Sequence, residues 1–444
     1  MKFKIPEEVI KLINKFYENK AEIYIVGGAC RNLILGKEIS DWDFTTNLTS
    51  EEMAKIFPKN SFCNNVFGTF SVVGKNKKIF EITTFRKERA YSDNRHPDEI
   101  EWGKTLKEDL ERRDFTINAI AMEYRDGNIK IIDLFDGQED LKKKIVRTVG
   151  DPDERFNEDA LRLMRAIRIA GQLEFKIEDK TLESIKKNCG LINKVAGERI
   201  RDELFKILTS DKASHGVKLL RESGLLKELM PELIEGIGLD QKGHHIDDVW
   251  THNLKTLDNC DSKNPVTRLA ALLHDVGKAV VVKGDGEERT FHNHEVVGSR
   301  IAVKIGKRLR LSNKELDQLF KLTRWHMFTV QANQTDKAVR RFIKNVTPEY
   351  IDEMISLRRA DRLGSGSKET SWRWELFKKR IIEVQKQPFS IKDLKVDGKD
   401  VMKILGIKPS RKVGEVLEAL FKEVEEDPKL NKKEVLIKKI EDFK

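Results

Sequence analysis

Two aspartates separated by one tryptophan, Asp41 and Asp43 in "EISDWDFTT", form the first pattern with chemical content. Along a strand side chains alternate, so residues two apart project from one face. Two carboxylates that close repel each other unless a cation joins them, and Mg²⁺ with substrate phosphates supplies one. In a two-metal site such a pair clamps an attacking hydroxyl and the α-phosphate of a nucleotide. The pair alone is equally what an exposed edge strand carries. Just upstream, "EIYIVGG" reads as a strand running into a turn at Gly27 and Gly28, and "ACRNLILG" as a short helix. A Gly-Gly turn ahead of a helix N-terminus lets backbone N–H groups approach phosphate closely. Arg31 on that helix adds a fixed positive charge.

A second pattern lies in "NEDALRLMRAIRIA", which reads as a helix with Ala160, Leu161, Met164 and Ile167 on one apolar stripe. Asp159 and Arg162 are three apart and so neighbours on its surface, with Arg165 and Arg168 further along the side. A carboxylate only accepts hydrogen bonds and a guanidinium only donates them. Cytosine sets a donating N4 amino group beside an accepting N3, and adenine a donating N6 beside an accepting N1. An Asp–Arg pair fits both bases. Uracil and guanine present the reverse order and would face like against like, at a penalty on the order of a few kcal/mol. An amphipathic surface helix with an ordinary ion pair is the bland alternative.

Histidines supply the third pattern. Seven of the nine lie between His244 and His326. Histidine and aspartate are both metal-ligand types, and imidazole with carboxylate suits Mn²⁺, Fe²⁺, Ni²⁺ or Zn²⁺ better than Ca²⁺.

The elements that must position these groups fall into four pieces, giving an α+β multidomain fold. Residues 1–150 mix β-rich runs ("AEIYIVGG", "GTFSVVG", "KIFEITTF", "NIKIIDLFDG") with helical ones. Residues 151–235 form a helical neck, 236–370 the histidine-bearing helical body, and 371–444 a Lys-rich helical tail. Lys and Arg outnumber Asp and Glu, 84 to 74, for a net charge of +10, which suits a polyanionic partner. The four cysteines (Cys30, Cys63, Cys189, Cys260) make no C-x-x-C pair, which disfavours a disulfide framework or a thiolate zinc site. The N-terminal run carries acids and no small-residue cleavage site, and no run is long and apolar enough to span a membrane. A cytoplasmic location is expected.

The stretch "GGACRNLILGKEISDWDFTT" resembles the signature of the DNA polymerase β-like nucleotidyltransferases, in the tRNA nucleotidyltransferase and bacterial poly(A) polymerase branch. It matches at Gly27, Gly28, Arg31, Leu35, Gly36, Asp41, Asp43 and Thr46, and departs at Asn32, where the family usually has Asp. "EDLERRDFTINAIA" (108–121), "DPDERFNEDALRLMRAIRIAG" (151–171) with Glu158, Asp159 and Arg162, and "GERIRDEL" (197–204) are similar in order to the class II tRNA nucleotidyltransferases. The resemblance implies a polymerase β-like head with a mixed sheet, followed by an all-α neck. It further implies a Mg²⁺ site on Asp41 and Asp43, triphosphate binding by Gly28, Arg31, Arg113, Arg165 and Arg168, and base choice by Asp159 and Arg162. Asp114 and Asn118 are expected to brace the strand–helix junction. The substrates implied are tRNA, CTP and ATP.

Residues 86–103 resemble the flexible loop of enzymes that add the terminal A. The order His252, His274-Asp275, Asp361 resembles the HD-domain metal-dependent phosphohydrolases, with His294 and His326 where two-metal members place extra ligands. The tail, around "ILGIKPSRKVG", resembles the tRNA-binding tail of the same enzymes. The expected function is template-independent addition of C, C and A to tRNA 3′ ends, with phosphohydrolase activity in the HD body. An enzyme adding only A, a poly(A) polymerase, and an HD phosphohydrolase whose head merely binds tRNA are the alternatives.

Overall fold

The computed structural model describes residues 3–63, 69–89, 99–241, 247–328, 335–385 and 391–444. In its first third the β-rich runs become β1 (Ile23–Val26), β2 (Asp43–Thr46), β3 (Ser61–Cys63), β4 (Thr69–Val73), β5 (Ile79–Thr84), β6 (Arg86–Arg89), β7 (Glu99–Trp102), β8 (Ile120–Arg125) and β9 (Asn128–Asp133). Seven of these make one mixed sheet in the order β3-β4-β5-β2-β1-β8-β9. β2 runs antiparallel to β1 and parallel to β5, so it lies inside the sheet and not at an edge. Its side chains are anchored accordingly: Phe44 and, on the neighbouring strand, Phe80 are 1% and 2% exposed. Burying each ring contributes about 2 kcal/mol.

Asp41 precedes β2, which begins at Asp43. Strand alternation therefore does not relate the two carboxylates, contrary to the expectation from spacing. The stretch 86–103, expected as a flexible loop, enters and leaves as the antiparallel pair β6–β7, with Arg86 opposite Trp102 and Arg89 opposite Glu99. The middle of that stretch, 90–98, lies outside the described residues, as do His244 and His245.

Cα packing divides the chain into two compact units, residues 1–235 with 307–311, and 236–306 with 312–444. The first holds the sheet and the neck. Asp151 caps the helix Pro152–Glu158 by accepting from the Glu154 N–H, with Pro152 in the first turn. The sequence pattern predicts one continuous helix through Asp159, but the backbone breaks there: Asp159 is extended (φ −139, ψ 105) and a new helix runs Leu161–Leu173. The break lets Ala160, Leu161, Met164 and Ile167 all turn inward, and each is buried.

The second unit is helical. Val249–Asn259, Pro265–Leu273, His294–Arg308, Asn313–Trp325 and Ile351–Gly364 carry the ligand-type residues at or near their ends. Asp248, Asn264 and the Ser312–Glu315 capping box satisfy N-terminal N–H groups of three of them. The tail helices Gly398–Leu405, Arg411–Glu426 and Lys433–Glu441 close around their own core of Val401, Val416, Leu420, Val424, Leu436 and Ile440.

Candidate active site

The helix Gly27–Leu35 starts directly from β1, and Gly27 adopts φ +65. That conformation disfavours any residue with a Cβ. A Cβ built there would also lie 3.3 Å from Asp43 Oδ2 and 3.4 Å from Arg113 Nη1. The glycine therefore brings helix start, carboxylate and guanidinium to one point. β2 presents Asp43 in register with Val26 of β1 and Glu81 of β5. Parallel partners share a face, so Glu81 stands beside Asp43 as a further carboxylate that motif spacing did not reveal. Its only signal was a lone acid among the apolar residues of "KIFEITTF". Burial pushes the Asp43 carboxyl up to about 6, against nearby Arg113, with Glu81 and Asp41 adding to the rise. A gathering of acids whose charge is disfavoured by desolvation is the donor set a divalent cation requires. Asp41 itself is exposed and accepts from Ser40 Oγ at 2.8 Å.

A cleft of about 520 Å³ opens here, lined by Gly27, Gly28, Asp43, Glu81, Arg113, Asp159, Arg162, Arg165 and Arg199 among others. It joins the sheet motif to the neck motif, which are more than a hundred residues apart in sequence. Arg112, Arg113, Arg162, Arg165 and Arg199 are each held by an acid. Arg113 Nη2 donates to Asp109 at 3.0 Å, and its buried Nε has no hydrogen-bond partner among the described residues. Asp109 is fully buried; burial alone would raise its pKa, but Arg112 and Arg113 outweigh that and hold it at about 2. Arg165 donates through Nε and Nη2 to Asp114 Oδ2, and Asn118 Nδ2 donates to Asp114 Oδ1 at 3.2 Å. Against its burial, Asp114 is held well below the usual carboxylate range by that pairing.

The side chains of Asp159 and Arg162 do not pair with each other, although the Arg162 N–H donates to the Asp159 carbonyl at 2.9 Å. Asp159 accepts from Arg199, and Arg162 donates to Glu158 and to the carbonyls of Arg155 and Arg112. Two expected phosphate ligands lie off the cleft lining. Arg168 donates to Glu203 and Gln172. Arg31 donates to the Oδ1 of Asn32 at 3.2 and 3.1 Å and to Asn118 Oδ1 at 2.8 Å, and burial, with Arg168 nearby, lowers its pKa to about 10. Asn32 thus keeps the acceptor that an Asp would supply but not the charge.

In the second unit all six ligand-type residues converge and are buried: His252, His274, Asp275, His294, His326 and Asp361. Two groups share Asp275, one with His252 and His274, the other with His294 and His326. His274, His294 and His326 point Nδ1 at the carbonyls of Ala271 (2.9 Å), Phe291 (2.9 Å) and Thr323 (2.7 Å). Carbonyls only accept, so Nδ1 carries a proton in each, and the tautomer in which Nε2 is bare turns its lone pair toward the other rings. Nε2 of His252 and His274 are 3.1 Å apart, and those of His294 and His326 are 3.4 Å apart. His294 Nε2 is 3.2 Å from Asp275 Oδ1, and His252 Nε2 is 3.2 Å from Asp361 Oδ1. Converging lone pairs and carboxylates fit a divalent ion. Lys278 donates to Asp275 at 2.6 Å and Arg358 to Asp361 at 2.7 Å. A cavity of about 440 Å³ reaches the site, lined by these two cations with Arg362, Phe291, His292 and Met327.

Three family models match in sequence: the Poly A polymerase head domain over residues 23–147, the "Probable RNA and SrmB- binding site of polymerase A" over 174–236, and the HD domain over 249–365. The CCA-adding enzyme of Ligilactobacillus salivarius (strain UCC118) is 34% identical over 438 residues, 98% of this chain and 96% of that protein. The A-adding tRNA nucleotidyltransferase of Deinococcus radiodurans is 36% identical over 330 residues, 71% of this chain and 74% of that protein. A crystal structure of the Bacillus stearothermophilus CCA-adding enzyme in complex with CTP superposes with a TM-score of 0.72 at 28% identity, covering 98% of this chain and 97% of that one. With its mixed-sheet head, helical neck and HD body, the chain belongs to the CCA-adding, or class II tRNA nucleotidyltransferase, family.

Proposed function

We propose that the chain adds C, C and A to tRNA 3′ ends from CTP and ATP without a nucleic-acid template. One observation carries the reading: a single nucleotide-sized cleft gathers Asp43, the Gly27–Gly28 helix start, Arg113, Asp159 and Arg162. A Mg²⁺ ion held by Asp41 and Asp43, when bound, neutralises charge on the α-phosphate attacked by the tRNA 3′-hydroxyl. The helix start at Gly28 and the Arg113 guanidinium, both on the cleft lining, receive the triphosphate. Asp159 and Arg162 accept from and donate to the base edge that C and A share. Arg165, held by Asp114, fixes the neck helix against the head. Arg31 and Arg168 contribute positive potential from behind the cleft. The net charge of +10 and the Lys-rich tail hold tRNA phosphates. Head 1–150, neck 151–235, body 236–370 and tail 371–444 are the functional pieces of a cytoplasmic enzyme.

The HD body is a metal-dependent phosphohydrolase in this reading. Its support is the donor set of His252, His274, Asp275, His294 and His326, with Asp361 beside His252, and Lys278 and Arg358 lining the cavity. A divalent transition ion such as Mn²⁺, Ni²⁺, Fe²⁺ or Zn²⁺ supplies the activated water there when bound. Labelled tRNA lacking CCA, incubated with CTP and ATP separately and together, tests the main function. The expected products are two added residues with CTP alone and three with both nucleotides. Absence of C incorporation would refute the CCA reading in favour of A-only addition. Long A tracts would favour a poly(A) polymerase.

A further inference from the structure

We infer that Arg199 is a positioning residue for base selection, because its guanidinium fixes Asp159 as an acceptor with one open hydrogen-bond site. The inference rests on the reading of Asp159 as a base contact. Arg199 is the third residue of the helix Gly197–Leu208, whose first turn meets the break between the two neck helices. Its Nη1 and Nη2 donate to Asp159 Oδ1 and Oδ2 at 3.4 and 3.0 Å, one to each oxygen. This fork locks the plane of the carboxylate. The Leu161 N–H donates to Oδ1 at 3.1 Å. Each carboxylate oxygen offers about two lone-pair sites. Oδ1 is therefore filled, and Oδ2 keeps one site. Both Asp159 and Arg199 line the cleft, with side chains 20% and 26% exposed.

Arg162 is prepared in the same manner. Its Nη1 is taken by Glu158 and the Arg155 carbonyl, and one Nη2 hydrogen by the Arg112 carbonyl. Its second Nη2 hydrogen and its Nε–H remain for a base. The two readers thus offer one acceptor and a short donor edge, the complement of C and A. Arg199 also keeps them apart. Without it the nearest guanidinium in sequence is Arg162, three residues on, and an Asp159–Arg162 pair would use up the acceptor and the donors together. The cost would fall on discrimination, beyond any general loss of packing.

The test measures kcat/KM for CTP on tRNA lacking CCA and for ATP on tRNA ending in CC, each against UTP and GTP. It compares wild type with Arg199→Gln, Arg199→Lys and Asp159→Ala. Arg199→Gln should lower the CTP:UTP and ATP:GTP preference about tenfold. Arg199→Lys keeps the charge without the fork and should lie between. Thermal melts identify any variant that fails to fold, in which case the lysine variant gives the readout. In the Asp159→Ala background, Arg199→Gln should bring no further loss of preference. If Asp159→Ala retains full preference, the reading of Asp159 as base contact fails. If Asp159→Ala loses preference but both Arg199 variants stay within about twofold of wild type, Arg199 is only structural and this inference alone is overturned.

Discussion

Replacing Gly27 with alanine separates a backbone requirement from general tolerance at the turn proposed to bind phosphate. At φ +65 a residue with a Cβ costs about 1–2 kcal/mol. The new methyl would also sit 3.3 Å from Asp43 Oδ2, tighter than an ordinary contact, so the carboxylate must shift by a few tenths of an ångström. For a unit of this size, each kcal/mol lowers Tm by about 2–4 °C. A loss of about 2–8 °C is therefore expected in the transition of the first unit. Displacing the carboxylate proposed to hold Mg²⁺ should lower kcat about a hundredfold. Gly28→Ala is the internal control. Its Cβ would meet only Arg31 Nη2 at 3.5 Å, an ordinary contact, and alanine suits a helix better than glycine. That variant should keep or raise Tm even where the bulk near phosphate raises KM for nucleotides. Differential scanning calorimetry with single-turnover kinetics reads both effects. Equal Tm for the two variants, or a fully active Gly27→Ala, would refute the geometric argument.

Glu81→Gln should lower kcat for C addition about tenfold or more, with KM for CTP within about threefold, because Glu81 stands in register with Asp43, the carboxylate proposed to hold Mg²⁺. Asp109 gives an acid-stability signature: its pKa of about 2 lies below the usual carboxylate value, so it stabilises the fold above pH ~4 and loses that contribution as pH falls toward 2. The gap corresponds to about 2 kcal/mol, and Asp109→Asn should flatten the acid limb of a denaturant-stability profile between those values. In the HD body Asp275→Ala should remove bound transition metal, read by elemental analysis, since both donor groups share that carboxylate. CCA addition should persist in that variant; its loss would show that the body site serves the transferase reaction.

Local pattern carried much of the architecture. β1, β2, β4, β5 and β9 follow runs of β-branched and aromatic residues, and the apolar stripe from Ala160 to Ile167 turns inward as its spacing predicts. Two expectations of local structure failed at polar residues. Asp41 lies outside β2, exposed and bonded to its neighbour Ser40, whereas Asp159 breaks a helix because a polar group given a tertiary partner leaves regular structure where periodicity alone would continue it. Asp159 gains Arg199 from a helix about forty residues on, a contact that spacing within one helix cannot reveal. Glu81 was missed for a similar reason: it joins Asp43 through strand register. His252, His274, Asp275, His294, His326 and Asp361 were legible as a candidate metal site because their order along the chain resembles that of the HD family. The sharing of Asp275 between two groups required the coordinates.

The central claim is that Asp41 and Asp43 serve nucleotidyl transfer and not the hydrolytic site. Asp41→Ala and Asp43→Ala, assayed for incorporation of labelled CTP and ATP into tRNA lacking CCA and for metal-dependent phosphatase activity in the same preparations, test it directly. The account predicts loss of both C and A incorporation with phosphatase activity unchanged. Incorporation at the wild-type rate in either variant would contradict it.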